Sequence, residues 1–369
     1  MLTRVYIDNF RCFVNFEWKP GRKQLILGPN GSGKSTLMEA LLRLRQFIAG
    51  RQRVDELYRL QQRTRWLSQP QQTCEIEANL NGVDFVYRLT IKPDPSADVP
   101  LFHVASETLC SCGKPLLEFI DGEVRLYSTE SRGPITYPAV ADRSVLANVP
   151  AKGNEKLGAF RDWILKLYYF RVNPFEMLPE AREEAPFAEV SLRNFSAWHR
   201  RLRESFPTEN TAFLDDMRSA IDGFSDLIHE YVAENTTLLV AEFAGVDGGR
   251  AKFAFNELSE GQRCLIALYA TLHFCITRGG TVIIDEPDNF IALREIQPWL
   301  TAVTDAVDDG EGQVLLISHH PEVLNQWAPD FGVQFIREGV GPVRVRAFQG
   351  PAESSLTPAE LVARGWEIE

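Results

Sequence analysis

The amino-acid sequence predicts an α/β fold with a mixed or parallel core sheet, interrupted by an antiparallel β lobe and a helical insert. Three observations predict it. A glycine-rich loop stands between an apolar strand and a helix near the N-terminus, and two short apolar runs near the C-terminus each end in polar residues. Alternating apolar and polar residues fill the region that follows the loop's helix.

Composition narrows the class of protein. The 369 residues carry 39 Lys and Arg against 50 Asp and Glu, a formal net charge of −11. That balance excludes an overall basic field that adsorbs nucleic acid or membranes, so such binding would require a local patch. The sparse cysteines and the lack of an apolar run long enough to cross a bilayer favour a cytoplasmic protein without a membrane-spanning helix.

The order of the patterns divides the chain into five segments. Residues 1–70 and 236–350 are expected to form the two parts of the core, 71–150 the β lobe, 151–235 the helical insert and 351–369 a tail. Asn81-Gly82 and Asp121-Gly122 predict hairpin turns in the lobe. Helices are predicted over 157–170, 187–206, 212–232 and 264–276, and two strands over 237–255. No helical pattern sustains heptads, which excludes a long coiled-coil arm.

The glycine-rich loop has the pattern of a phosphate-binding site. It reads GPNGSGKS, with a strand over 24–27 before it and a helix over 36–47 after it. Such a loop turns backbone N–H groups toward a β-phosphate at the positive end of the helix. Lys34 adds a positive charge between the β- and γ-phosphates, and the Ser35 hydroxyl can bind Mg²⁺. Nucleotide contacts are therefore predicted from Gly28, Pro29, Asn30, Gly31, Ser32, Gly33, Lys34, Ser35 and Thr36.

Three motifs follow in the C-terminal part of the core. LSEGQR over 258–263 opens an apolar helix, TVIIDE over 281–286 is a buried strand ending in two acids, and QVLLISHH over 313–320 is another buried strand. Asp285 is predicted to hold Mg²⁺, Glu286 to polarise the attacking water, and His319 to bond the γ-phosphate or that water. Taken singly, the motifs have structural alternatives, such as Ser259 acting only as a helix N-cap.

Two arginine-rich stretches could bind nucleic acid. One covers residues 43–65, with Tyr58 and Trp66 as stacking candidates, and the other covers 193–203 around Trp198 and His199. The alternative is that these arginines lie on solvated helix faces and pair with acidic residues.

With its motifs in this order, the sequence resembles the ABC-type ATPases, specifically the RecF/SMC-like branch. Residues 28–35 match Walker A, 258–262 the signature, 282–286 Walker B and His319 the switch histidine. The resemblance implies an ABC-ATPase head that hydrolyses ATP with Mg²⁺. Asn9-Phe10-Arg11 is similar to the start of the family's sequences, which implies Arg11 as a further phosphate contact.

Residues 160–174, followed by 192–198, look like parts of small stand-alone ATPases related to the overcoming-lysogenisation-defect (OLD) proteins, many of which serve in bacterial anti-phage systems. Because the sequence ends soon after its last strand, it is expected to lack the TOPRIM nuclease domain of OLD proteins. The resemblance implies a homodimer or higher oligomer, in which Ser259, Gly261 and Gln262 of one subunit complete the ATP site of another.

The expected function is an ATP-gated dimer clamp in DNA-associated or anti-phage processes, controlling a separate effector such as a nuclease or toxin. DNA is a further candidate partner, and no membrane partner is expected. The alternative is the ATP-binding subunit of a membrane transporter, which the long interval between Lys34 and Ser259 disfavours.

Details of the family pattern stay open. The glutamine loop could be Gln69, Gln71 or Gln72, and His320 is an alternative to His319. Ala292 and Leu293 stand where the family commonly has Asp or His, so communication between the two ATP sites is expected to differ from the family's.

Overall fold

The computed structural model describes residues 1–94, 101–127, 133–150, 153–245, 248–310, 312–349 and 356–365. The strands are β1 Leu2–Asp8, β2 Phe16–Trp18, β3 Lys23–Leu27, β4 Gln72–Leu80, β5 Val83–Pro93, β6 Phe102–Ser111, β7 Lys114–Ile120, β8 Glu123–Leu126, β9 Ile135–Pro138, β10 Leu167–Phe170, β11 Glu180–Ala181, β12 Phe224–Ala233, β13 Thr236–Ala244, β14 Arg250–Ala254, β15 Thr281–Asp285, β16 Gln313–Ile317, β17 Gly332–Ile336 and β18 Arg344–Ala347. The helices are α1 Lys34–Ile48, α2 Val54–Leu57, α3 Glu155–Leu165, α4 Phe195–Ser205, α5 Pro207–Ala220, α6 Glu260–Thr271, α7 Leu293–Asp309, α8 Pro321–Phe331 and α9 Pro358–Arg364. Of the predicted tail, 351–369, residues 356–365 are described and contain α9, and the rest lies outside the described residues.

A six-stranded sheet forms the core, in the order β10-β15-β16-β3-β17-β18. The first five strands are parallel, and β18 runs antiparallel to β17. This confirms the predicted mixed sheet. Because parallel strands end at the same edge, the glycine-rich loop after β3 and the polar residues after β15 and β16 come together there.

Both faces of the core sheet are apolar. Ile283 and Leu315 face one cluster of buried side chains, which includes α1, α3 and the antiparallel sheet. Val282 and Leu316 face a second cluster, which includes helices α4 to α8. Because successive side chains of a strand point to opposite faces, burial on both faces explains why these strands are continuously apolar in sequence.

The predicted β lobe is an eight-stranded antiparallel sheet, in the order β2-β1-β4-β5-β6-β7-β8-β9. The two predicted hairpin turns are confirmed, with Asn81-Gly82 and Asp121-Gly122 all at positive φ. Strands β1 and β2, from the predicted N-terminal core segment, pair within this sheet. The Gln313 side chain ties the two sheets together through hydrogen bonds to the backbone of Leu2 and Gly21.

The helical insert differs from its prediction in three places. The helix predicted over 157–170 ends at Leu165, and residues 167–170 form β10 beside β15. The helix predicted over 187–206 covers only Phe195–Ser205. The helix predicted over 212–232 ends at Ala220, and after a turn at Gly223 the chain forms β12.

The physical reason is tertiary pairing. Apolar and aromatic runs such as LYYF fit either a helix or a pleated surface, and here partner strands β15 and β13 are present to pair with them. The strands predicted over 237–255 and the helix that follows the signature are confirmed. No helix in the described part of the chain is long and apolar enough to cross a membrane.

Candidate functional site

The glycine-rich loop joins β3 to α1 and needs glycine for its shape. Gly28, Gly31 and Gly33 have φ values of 141°, 82° and 102°, a region that favours glycine. Close packing adds a second requirement at two of them. A Cβ atom at Gly28 would lie 2.5 Å from the carbonyl oxygen of Phe335, and one at Gly33 would lie 2.9 Å from Cγ2 of Val343.

Lys34 begins α1, and its side chain folds back over the loop. Its Nζ donates to the carbonyl oxygens of Gly28 at 2.5 Å and Pro29 at 3.3 Å. Burial lowers the pKa of Lys34, and the carboxylates of Asp285 and Glu286 oppose that change. Within the described residues the ammonium group has no ion-pair partner close enough for a salt bridge, so it is available to an anion.

Asp285 and Glu286 stand at the carboxyl end of β15. The hydroxyl of Tyr169, on β10, donates to Oδ2 of Asp285 at 3.1 Å. Burial raises the pKa of Asp285, and this hydrogen bond opposes the rise. Glu286 has a φ of 53°, its amide donates to the Ile317 carbonyl at 2.7 Å, and Asn289 Nδ2 donates to its carboxylate at 2.7 Å. Asp285 is thus buried and held by a neighbouring strand, whereas Glu286 is half-buried and held by a turn.

The two adjacent histidines have different surroundings. His319 is exposed and lines the same cleft as the glycine-rich loop. Nδ1 of His320 accepts a hydrogen bond from the amide of Glu322 at 3.3 Å and so caps the N-terminus of α8. His320 therefore has a structural contact, and His319 is the histidine that faces the cleft.

The cleft has a volume of about 860 Å³ and contains the glycine-rich loop, Asp285, Glu286 and His319. Its basic wall comprises Arg11, Arg59, Arg63, Arg65, Arg171 and Arg337. Arg11, the predicted phosphate contact, lies in the cleft with both terminal nitrogens on the Glu39 carboxylate, at 2.7 and 2.8 Å. Trp66 also lines the cleft, with 44% of its surface exposed.

The arginine-rich stretches therefore have mixed roles. Arg59, Arg63 and Arg65 face the cleft of the glycine-rich loop, whereas Arg43 and Arg53 pair with neighbouring carboxylates. The predicted stacking by Tyr58 is wrong, because its ring is buried in the apolar core, and Trp198 in the second stretch is buried as well.

The predicted signature residues occupy a different place. Oγ of Ser259 accepts from the amide of Gln262 at 3.2 Å, and Oε1 of Gln262 accepts from the amide of Ser259 at 3.1 Å. This reciprocal capping box begins α6. A Cβ atom at Gly261 would lie 2.9 Å from the carbonyl oxygen of Phe290, so α6 starts against the segment after Walker B. None of these three signature residues lines the cleft formed by the glycine-rich loop.

The glutamine-loop candidates do not line that cleft either. Gln69, Gln71 and Gln72 bond instead to groups around strands β1 and β4. Gln61 and Gln62 do line it, among the arginines of the same stretch. The sequence did not predict that Tyr169 contacts Asp285 or that Arg171 lines the cleft, because the pattern of this segment indicates the end of a helix.

Two family models match separate parts of the chain. A model described as "AAA domain, putative AbiEii toxin, Type IV TA system" matches residues 151–325, and one described as "ABC transporter" matches residues 13–92. The first range contains the signature, the Walker B acids and His319, and the second contains the glycine-rich loop. A search of curated proteins found no significant match.

Solved structures of SMC heads share the fold. The SMC head of Pyrococcus furiosus with an extended coiled coil, bound to the C-terminal domain of ScpA, has a TM-score of 0.55 and 12% identity over 100% of this chain and 99% of that chain. An SMC head bound to the C-winged helix domain of ScpA has a TM-score of 0.53 and 14% identity, covering 94% and 98%. The SMC head domain from Thermotoga maritima has a TM-score of 0.50 and 13% identity, covering 95% and 99%.

Proposed function

We propose that this chain binds and hydrolyses ATP with Mg²⁺ between two copies of itself. Its fold and its family-model matches are those of an ABC-type ATPase of the RecF/SMC-like branch. One observation carries the proposal. Walker A, Walker B and His319 line one cleft, whereas the signature residues do not. A second copy can supply a signature to that cleft, and two-fold symmetry then completes two sites at once.

Within one subunit, each residue has a distinct role. Lys34 exchanges its bonds to loop carbonyls for the β- and γ-phosphates, while the backbone amides of residues 28–36 hold the phosphate chain. Ser35 and Asp285 would hold Mg²⁺, because a hydroxyl and a carboxylate are the hard oxygen ligands that this ion prefers. The ion, when bound, neutralises charge on the β- and γ-phosphates. Glu286 accepts a proton from the attacking water, and His319 orients the γ-phosphate or that water.

The base of the nucleotide is assigned to Trp66. The ring lies in the cleft, and the Arg337 guanidinium is 5.9 Å from its centroid. Arg337 is itself held by the Gly341 carbonyl at 2.9 Å. An exposed aromatic ring next to a phosphate-binding loop offers a stacking surface for a base.

The second copy contributes Ser259, Gly261, Gln262 and the N-terminus of α6 to the γ-phosphate. ATP then holds the two subunits together, and hydrolysis removes the contacts that hold them. The pair would act as a clamp whose lifetime depends on Glu286.

A complementation experiment tests this arrangement. Lys34→Ala removes the loop lysine, and Ser259→Arg blocks the signature, so each variant alone should lose ATPase activity. An equimolar mixture should recover activity, because mixed dimers pair an intact loop with an intact signature in one of their two sites. A mixture as inactive as its components would contradict shared sites.

The proposed biological role is an ATP-dependent switch in DNA-associated or anti-phage processes that controls a separate effector, a nuclease or a toxin. The description of the family model over residues 151–325 as a toxin-related AAA domain supports this role. Co-purification of a soluble nuclease or toxin, or ATPase stimulation by duplex DNA that weakens steeply with salt, would support it. A membrane permease partner would instead support the alternative, a transporter subunit, which the match to an ABC transporter model favours.

A further inference from the structure

A second cleft lies beside the nucleotide cleft and is the larger of the two, at about 1040 Å³. Its walls are the C-terminal half of α1, the segment 171–176 after β10, and the segment 187–191. The two clefts share Arg171, Asp285 and Glu286, so they meet at the Walker B acids. None of the ATPase motifs uses the far end of the second cleft.

That far end contains a buried arginine without an anion. Arg45 lines the second cleft and is only 8% exposed. Its guanidinium lies 5.0 Å from the ring centroid of Phe187 and 5.6 Å from that of Tyr168. Among the residues that the structure describes, this guanidinium has no ion pair and no hydrogen bond. Aromatic faces offset part of the cost of burying a charge, but a buried arginine ordinarily has an acidic partner.

A second cation lies against the same ring. The Arg51 guanidinium is 3.9 Å from the centroid of Phe187, and it too has no salt bridge to another described residue. Both arginines therefore contact the ring of Phe187, and Arg51 is close enough to lower the pKa of Arg45 further, after the larger effect of burial. Two like charges placed together in this way make an attractive position for an anion.

The remaining walls suggest the size and polarity of the ligand. Leu42 and Val172 contribute apolar surface, and Arg171 adds a third guanidinium at the end near the Walker B acids. Glu176 and Glu189 also line the cleft but are exposed, and Glu176 accepts a hydrogen bond from Asn173. The anion position is thus localised to the Arg45 end.

We propose that the second cleft binds a phosphate-bearing ligand, with the phosphate held by the guanidinium groups of Arg45 and Arg51. Planar guanidinium groups match the oxygens of a phosphate in paired hydrogen bonds, and the cleft has room for a nucleotide-sized molecule. This site is separate from the ATP site and does not depend on the proposed hydrolysis. Its position against Asp285 and Glu286 would let the ligand influence the ATPase centre.

The proposal is tested by measuring the binding of inorganic pyrophosphate by calorimetry. The measurement uses the Lys34→Ala chain, because this substitution weakens phosphate binding at the glycine-rich loop. Adding Arg45→Gln should weaken binding by about tenfold or more, because a charge-assisted contact is lost. Adding Arg59→Gln instead, which is a matched change in the nucleotide cleft, should leave the affinity for pyrophosphate unchanged. If Arg59→Gln weakens binding and Arg45→Gln does not, pyrophosphate binds in the nucleotide cleft and the proposal is overturned. Citrate binding as tightly as pyrophosphate would overturn the assignment to phosphate.

Stability gives an independent readout. Arg45→Met removes a buried charge and keeps a long side chain, so it should raise the melting temperature without ligand and abolish the further rise that pyrophosphate gives the Lys34→Ala chain. A lower melting temperature together with an undiminished pyrophosphate effect would show that Arg45 serves packing alone. Adenosine monophosphate in parallel distinguishes the source of the phosphate: binding tighter than that of pyrophosphate indicates a nucleotide, and weaker binding indicates a polyphosphate.

Discussion

Removal of the Trp66 side chain separates recognition of the base from recognition of the phosphates. The exposed 44% of a tryptophan surface of roughly 250 Å² is about 110 Å². At about 25 cal/mol per Å² of apolar surface, covering all of it would contribute about 3 kcal/mol, and stacking on one face about half of that. Trp66→Ala should therefore weaken ATP binding by about tenfold.

Inorganic tripolyphosphate is the matched ligand, because it carries the phosphate chain without a base. Its affinity should be the same for Trp66→Ala and for the unchanged chain, as measured by calorimetry. Phe253→Ala, at a residue of almost equal exposure outside the cleft, should change neither affinity. An equal loss of ATP and tripolyphosphate affinity would refute base stacking and indicate that Trp66 only supports the phosphate site through Arg337.

Three further predictions concern the acids and a half-buried histidine. Glu286→Gln should lower kcat by about 10²- to 10⁴-fold while ATP binding persists and the dimer accumulates in light scattering; unchanged turnover would contradict its role as base. Tyr169→Phe removes the hydrogen bond that lowers the pKa of Asp285, so the acidic limb of the rate profile should move to higher pH, and an unmoved limb would contradict that coupling. Burial lowers the pKa of His229, beside His199, to about 4, so the folded state favours the neutral ring. The contribution of His229 to the free energy of unfolding is therefore present above pH 6.5 and falls as pH drops below 6.5. Urea unfolding should show that His229→Gln loses less stability than the unchanged chain between pH 7 and pH 5, by about 2 kcal/mol at most; equal losses would count against a neutral His229.

Elements could be predicted best where the local pattern of apolar and polar residues matches their position in the buried core sheet. The glycine-rich loop, the strand ending at Asp285 and the strand ending before His319 are each short, apolar and followed by polar residues, so their elements and their shared edge could be predicted. The hairpin turn at Asn81-Gly82 is equally local, because residues that tolerate positive φ define it.

The parts that were mispredicted depend on partners that a single sequence does not reveal. Residues 167–170 form a strand because β15 offers a free edge, and the aromatic run itself fits a helix equally well. That error hid Tyr169, which contacts Asp285, and Arg171, which lies 3.9 Å from Glu286. For the later strand β12, Gly223 was a local signal that could have corrected the prediction, since at a φ of 73° it forms the turn between α5 and β12.

Ser259 shows that a structural role and a proposed functional role can share one atom. Its hydroxyl oxygen accepts a hydrogen bond from the amide of Gln262, which uses a lone pair and leaves the hydroxyl proton for another acceptor. The cap therefore fixes the oxygen at the N-terminus of α6, where the helix dipole and the remaining amides favour an anion. A γ-phosphate presented by a second copy is such an anion. The capping box, which alone would explain the serine, thus also positions its hydroxyl for the contact that would close the dimer.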